Sequence, residues 1–248
     1  MNRVIRLQCF QSLANYRKPT SHIIKETYPL PPYSTVLGMI HAACGYKEWH
    51  SMKLSIQGIN KGTISDLYTR YSFTPGGKYE EGRHQICVED DAKYGIFKGI
   101  ANTELVCDNR MIIHILPAEE DFQTVYESLK APKCYLALGR HEDILSIESV
   151  DVVNLQWEES ADTTMDIYIP VDMVEGNDTE DEGIVLGNHT TTIYNLTREY
   201  EITSQGLRRW KKEGGRIRAF YFPKGQTIGN VYVDDYQGDI GSSVVVLI

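Results

Sequence analysis

The chain of 248 residues is short of the signals that would place it quickly. No apolar run reaches the ~18 residues that a membrane helix needs. The start, Met1 to Arg6, alternates in polarity and lacks the continuous apolar segment of a secretory signal. Cysteine is sparse: Cys9, Cys44, Cys87, Cys107 and Cys134 are scattered, odd in number, and form no CxxC pair. Free thiols in a reducing cytoplasm are therefore expected, with no membrane contact. The Asn-x-Thr sequons at Asn177, Asn188 and Asn195 carry no meaning in such a compartment. Walker loop, GxSxG, HExxH and GxGxxG motifs are all missing. "DTEDEG" (Asp178–Gly183) is faintly like a calcium loop but lacks the terminal Glu and flanking helices. His41 and Cys44, at i and i+3, have no partner ligands nearby in sequence. No cofactor, metal or catalytic residue is expected.

A general excess of positive charge is missing too. The net charge is −9, which argues against a general nucleic-acid binder. Its distribution is uneven. Residues 206–224 hold seven Lys/Arg against the single acid Glu213, and residues 175–182 hold five acids and no base. A local basic site is thus compatible with the total.

What is present is alternation. Residues 4–10 place Ile5, Leu7 and Cys9 on one side, a strand pattern. A polar loop with Arg17, Lys18, His22 and Lys25 follows. "ETYPLPPYSTVLGMIHAACG" (Glu26–Gly45) then sets prolines before a short helix, about Ser34 to Cys44. Pro31 and Pro32 hold the entry extended. Ser34 suits the N-cap and Gly45 the C′ position. Residues 54–59 and 64–73 read as strands. Residues 74–109 are rich in Gly and charge and read as a protruding hairpin. Met111–Leu116 is a central strand. Phe122, Val125, Tyr126 and Leu129 have helical spacing after Pro117, and Pro132 ends that helix. A strand follows "YLALGRHED". The order strand, helix, strand, strand, helix, strand is the split βαβ, ferredoxin-like order. From Met165 onward the pattern is all-β, with strands near 165–171, 216–222, 228–233 and 244–248. This gives an α+β chain: a ferredoxin-like domain over 1–157, with an insert of about 74–109, and a strand-rich extension over 158–248.

Four stretches could carry chemistry. The helix start at Tyr33, Ser34 and Thr35 offers unsatisfied N–H groups that suit phosphate; ordinary capping explains it as well. Arg83 and His84 sit among glycines in the insert, either as a basic finger or as an exposed polar hairpin. Gly139 and Arg140 pair close backbone approach with a phosphate-matching fork, or form an ordinary turn. "LRRWKKEGGRIRAFYF" (Leu207–Phe222) interleaves bases and rings as suits single-stranded nucleic acid, or is a basic helix end followed by a strand with half its rings buried.

"CFQSLANYRKPTSHIIKETYPLPPYSTVLGMIHAACG" resembles the N-terminal signature of the CRISPR-associated Cas five family. That signature has a first strand ending in Phe, a basic loop, a "ty.lpp.st..G" element, and a small-residue helix in which Gly38 holds the glycine position. "YLALGRHED" is similar to the family's later loop. The likeness covers residues 5–150, and the proline style is most similar to type I-B members. It implies a RAMP (RRM-like) subunit of a Cascade effector that grips the 5′ handle of the CRISPR RNA. Such a subunit caps the Cas seven backbone beside the Cas eight large subunit, and meets target DNA only within the assembled complex. The insert corresponds to the family's thumb. The RNA is then expected at Arg17, Lys18, His22, Tyr33, Ser34, Thr35, Arg70, Arg83, His84, Gly139 and Arg140. Type I-C members cleave precursor RNA without metal, and Tyr33, His22 and Lys25 are the loop residues that such chemistry would draw on here. A general single-strand RNA binder is a further alternative.

Overall fold

The computed structural model describes residues 3–21, 23–174, 183–187 and 191–248. Arg3–Ala14 forms β1, Tyr33–Cys44 α1, Met52–Ile59 β2 and Thr63–Lys78 β3. Ile86–Glu89 is β4, Lys93–Pro117 β5, Phe122–Lys130 α2 and Ser146–Asp162 β6. Asp166–Pro170 is β7, Thr192–Thr197 β8, Tyr200–Ile202 β9 and Arg208–Trp210 β10. Arg216–Phe222, Thr227–Asp234 and Val244–Val245 are β11, β12 and β13.

One sheet runs β13-β12-β6-β1-β5-β2-β7-β11-β8, and β9 and β10 form a separate pair. Every strand pairing between named strands is antiparallel. Alternation assigns the two faces. Ile5, Leu7 and Cys9 of β1 join Leu54 and Ile56 of β2 and Ile113 and Ile115 of β5 beneath α1 and α2. Each such fully buried aliphatic side chain contributes roughly 2 kcal/mol. Arg6 and Gln8 lie on the opposite face, with His114 and Ser55 at the matching registers. The C-terminal segment covers that face: Gln57 Nε2 donates to the Val244 carbonyl (2.9 Å) and Val246 N–H donates to Ser55 Oγ (3.0 Å).

Residue 157 falls inside β6, which pairs with β1 through residues 146–154 and with β12 through residues 155–162. The strands beyond it extend the same sheet: β7 pairs with β2 and β12 with β6. The protruding hairpin is longer than the Gly-rich segment suggests. Its first arm starts at Thr63, paired with Val106, and its second arm is the outer part of β5. Hairpin and core share one strand, Lys93–Pro117, with a local kink at Asp108, where φ is +47°. Strands β8, β9 and β10 carry too little alternation to be read from sequence. The acidic run at residues 175–182 lies outside the described residues, as do the sequon asparagines Asn177 and Asn188.

The start of α1 differs from the reading above. Pro32, not Ser34, is the N-cap, with no side-chain cap. Its carbonyl accepts from Thr35 N–H (2.9 Å) and Val36 N–H (3.3 Å). Gly45 does close the helix, at φ +73°, with Tyr46 N–H donating to the His41 carbonyl (2.9 Å). At Gly38 the Arg208 guanidinium of β10 lies close to the helix, where a Cβ would meet its Nη1 at 2.9 Å.

Candidate nucleic-acid interface

The loop between β1 and α1 is folded back on itself at the root of the hairpin. Tyr28 N–H donates to the Tyr16 carbonyl (2.8 Å) and Lys18 N–H to the Glu26 carbonyl (2.9 Å). The buried Asn15 amide donates to the carbonyls of Lys25 (2.8 Å) and Glu104 (2.7 Å), tying the loop to β5. Lys25 is thereby held at φ +53°, unusual for a residue with a side chain. Its ammonium donates to the Tyr68 hydroxyl and lies 4.7 Å from the centre of that ring. The hydrogen bond from Lys25 pulls the Tyr68 phenol below its usual range. Burial opposes this, and the charges of Lys25 and Arg140 add to it.

Arg70 stands two residues beyond Tyr68 on the same face of β3, about 6.8 Å further out. Opposite these two are Gly99 and Ala101. Small partners leave the arginine uncovered, and it is exposed. Arg17 is exposed, its Nε donating to the Ser21 carbonyl (3.3 Å). Lys18 Nζ lies 5.9 Å from the centre of the Tyr194 ring. Among the described residues, Arg17, Lys18, Lys25 and Arg70 have no carboxylate within ion-pair distance. The loop and the root of the hairpin thus carry four such cations, with Tyr68 beside Lys25 and Tyr194 near Lys18, an arrangement suited to phosphate with a ring beside it.

The other sequence candidates are placed differently. Tyr33 is fully buried, 6.2 Å from Tyr168 between ring centres, and burial pushes its phenol well above the usual range. Ser34 is also buried, its Oγ 2.6 Å from Thr197 Oγ1. Both belong to the core, so of the helix start only Thr35 is partly exposed. The tyrosines crowding this stretch serve packing: Tyr168 OH, from β7, donates to the Leu30 carbonyl (2.8 Å). His22 lies outside the described residues. The trio Tyr33, His22 and Lys25 is therefore not assembled among them: one member is in the core and another is tied to Tyr68.

Arg140 is spent within the fold. Its Nη2 and Nε donate to Asp143 (2.7 and 3.1 Å), and Nη1 lies 3.1 Å from Glu142. Gly139 has φ +114°, and a Cβ would meet Asp143 Oδ2 at 2.8 Å and the Asn15 carbonyl at 2.9 Å. The pair fastens a loop to the end of β1. Arg83 and His84 sit at the far end of the hairpin. Arg83 is forked onto Glu80 (3.0 and 3.1 Å). His84 Nδ1 accepts from Glu80 N–H (3.0 Å), and its ring packs on Phe97 at 4.6 Å.

Most cations of "LRRWKKEGG" are also engaged. Arg208 lies over Tyr200 (4.6 Å), Arg209 near Glu201 (3.7 Å), and Lys211 donates to Glu199 (2.8 Å). Both nitrogens of His41 have protein partners, Tyr200 and the His50 carbonyl. All five cysteines are free thiols. No described helix is long and apolar enough to cross a membrane. Sequence reasoning passed over Tyr68 and left Lys25 out of the binding set. The available signal was the alternation Tyr68, Arg70 on one face of a predicted strand.

An antiparallel sheet with two helices on one face and a long hairpin bearing cations at its root is the architecture in hand. It is similar to a chain of a solved CRISPR RNA-guided surveillance complex: 14% identity, 90% of this chain and 91% of that one covered, TM-score 0.52. A CRISPR protein from Archaeoglobus fulgidus aligns over 98% of this chain and 97% of its own, at 10% identity and TM-score 0.47. No curated protein matches the sequence. The family model described as CRISPR-associated protein (Cas_Cas5) matches residues 4–210, and the chain belongs to that family.

Proposed function

We propose that the chain is a non-catalytic subunit of a type I Cascade effector, of subtype I-B, that holds the 5′ handle of the CRISPR RNA at the root of its hairpin. The observation that carries this reading is the Lys25–Tyr68 pair at the root of the hairpin, with Arg70 two residues further along β3, Arg17 and Lys18 in the same loop as Lys25, and no carboxylate within ion-pair distance of these cations among the described residues. Family membership supports the CRISPR context. The sheet order β6-β1-β5-β2, with a helix after β1 and after β5, supports a ferredoxin-like core. In this reading residues 1–157 are the RAMP domain and 158–248 its extension. The same reading makes a Cas seven backbone and a Cas eight large subunit its partners in the cytoplasm. Arg83 and His84, at the hairpin end, would reach the assembly rather than the handle root.

Competition on the full-length chain tests the proposal. A scrambled RNA of about ten nucleotides, within the footprint of one small binding fold, should compete far more weakly than the repeat-derived handle, and the handle should stay intact in EDTA. Equal competition would make the chain a general RNA binder. Cleavage at the handle boundary would make it a metal-independent endoribonuclease.

A further inference from the structure

The C-terminal end of α1 carries a histidine with a protein partner on each ring nitrogen. His41 is buried, with Nε2 2.9 Å from the His50 carbonyl oxygen and Nδ1 2.9 Å from Tyr200 OH. A carbonyl only accepts, so Nε2 bears the proton. In the neutral ring Nδ1 accepts from the tyrosine hydroxyl. Tyr200 belongs to β9, which pairs with β10 and runs on from the β8–β11 pair through Arg198 N–H to the Gly215 carbonyl (3.0 Å) and Glu199 N–H to the Gly214 carbonyl (3.2 Å). A ribbon of three residues per strand adds little stability of its own. Its far end is seated on α1 and the loop after it: Tyr200 on His41, Arg208 against Gly38, and Lys211 over Trp49 at 4.7 Å.

We propose that His41 is a pH-sensitive latch that holds the β9–β10 ribbon, with its basic and aromatic residues 208–212, against α1. A proton on Nδ1 makes that nitrogen a donor, so the Tyr200 hydroxyl must turn and accept, and a cation is buried in the seat. The new cation would face Arg208 from β10 and His50 from the loop after α1. The nearest acid, Asp121 before α2, already accepts from His50 Nδ1 (2.8 Å) and Tyr46 OH (2.8 Å). Releasing the ribbon lets water reach the imidazolium and frees Arg208 from the helix surface.

The sign follows from the same contacts. Burial lowers the His41 pKa first. The His50 carbonyl bond and the Asp121 charge oppose this, and His50 and Arg208 reinforce it. The seated form thus binds fewer protons than the released form, whose imidazole titrates near ~6.5. Seating is complete above that pH and weakens as pH falls below it, by at most about tenfold per pH unit for one proton. This device is independent of the RNA-binding proposal.

Hydrogen exchange on the full-length chain tests it. Protection of residues 199–211, corrected for intrinsic exchange, should fall severalfold between about pH 7.5 and about pH 5.5. In His41→Gln it should no longer change with pH. In Tyr200→Phe, where Nδ1 of the seated form is free to take a proton, the fall should be smaller, because the seated and released forms then titrate closer together. Should His41→Gln fail to fold, the NMR titration of the wild-type His41 ring must share its midpoint with the loss of protection. Flat wild-type protection would overturn the latch. So would an undiminished fall in His41→Gln, or a midpoint that does not match the His41 titration.

Discussion

Asp234→Ala should destabilise the protein by about 4 kcal/mol and lower Tm by roughly 12 °C. Asp234 sits between β1, β5 and the C-terminal cover. Its Oδ2 accepts from Arg6 Nε (3.2 Å) and His114 Nε2 (2.7 Å), and its Oδ1 from the N–H groups of Tyr236 (3.2 Å) and Ser243 (3.1 Å). All three side chains are inaccessible to solvent. Arg6 stacks on Tyr236 at 3.8 Å, and otherwise has only Gln8 Oε1 at 3.3 Å. Removing the carboxylate leaves a guanidinium in a dry interior, which costs far more than the pair itself contributes. Urea denaturation should show a lower midpoint at unchanged slope. Replacing Arg6, His114 and Asp234 together by apolar residues of similar volume should recover most of the loss. Burial pushes Asp234 upward, but the bond from His114 and the neighbouring charges hold it below the usual carboxylate range. Its contribution is therefore present above about pH 4 and is lost as the pH falls further.

Asp143→Ala should cost about 3 kcal/mol, and Asp143→Asn about 1 kcal/mol. This carboxylate is the hub of the Gly139–Arg140 loop. It accepts from Asn15 N–H (2.9 Å), Arg140 N–H (2.8 Å) and the Arg140 fork, while its own carbonyl accepts from Gln11 Nε2 (2.8 Å). The asparagine keeps an acceptor for the two backbone N–H groups but loses the charge and turns its NH2 toward the Arg140 fork. The substitution also separates structure from binding. It releases the Arg140 guanidinium, so RNA affinity per folded molecule should not fall, as measured by fluorescence anisotropy at a temperature where the variant is folded.

Residue types and spacing made much of the fold legible. Ile5, Leu7 and Cys9 declared a strand, Phe122, Val125 and Leu129 declared a helix, and Gly45 marked a helix end. Each is a local pattern that the core simply completes. The errors came where tertiary contact decides. Ser34 has the chemistry of an N-cap, yet Pro32 holds that position and Thr197, far along the chain, takes the Ser34 hydroxyl. Arg140 looks free in "LGRHED", although Asp143 three residues later was there to be read as its partner. The basic and aromatic run after Leu207 is divided by packing against α1, which no local pattern reveals. Lys25 and Tyr68 are 43 residues apart in sequence and meet only because the hairpin rises beside the loop.

The central claim is that cations at the root of the hairpin, rather than the helix start or the hairpin end, hold the RNA. The direct measurement is the salt dependence of binding of repeat-derived handle RNA to the full-length chain. With Arg17, Lys18 and Arg70 all changed to Ala, affinity should fall about 30-fold. The slope of log K against log salt should shrink by about 2, as expected for three lost phosphate contacts on a single strand. Arg83→Ala should leave both quantities as in the wild type. Wild-type affinity and slope in the triple variant, or an equal loss from Arg83→Ala, would contradict the account.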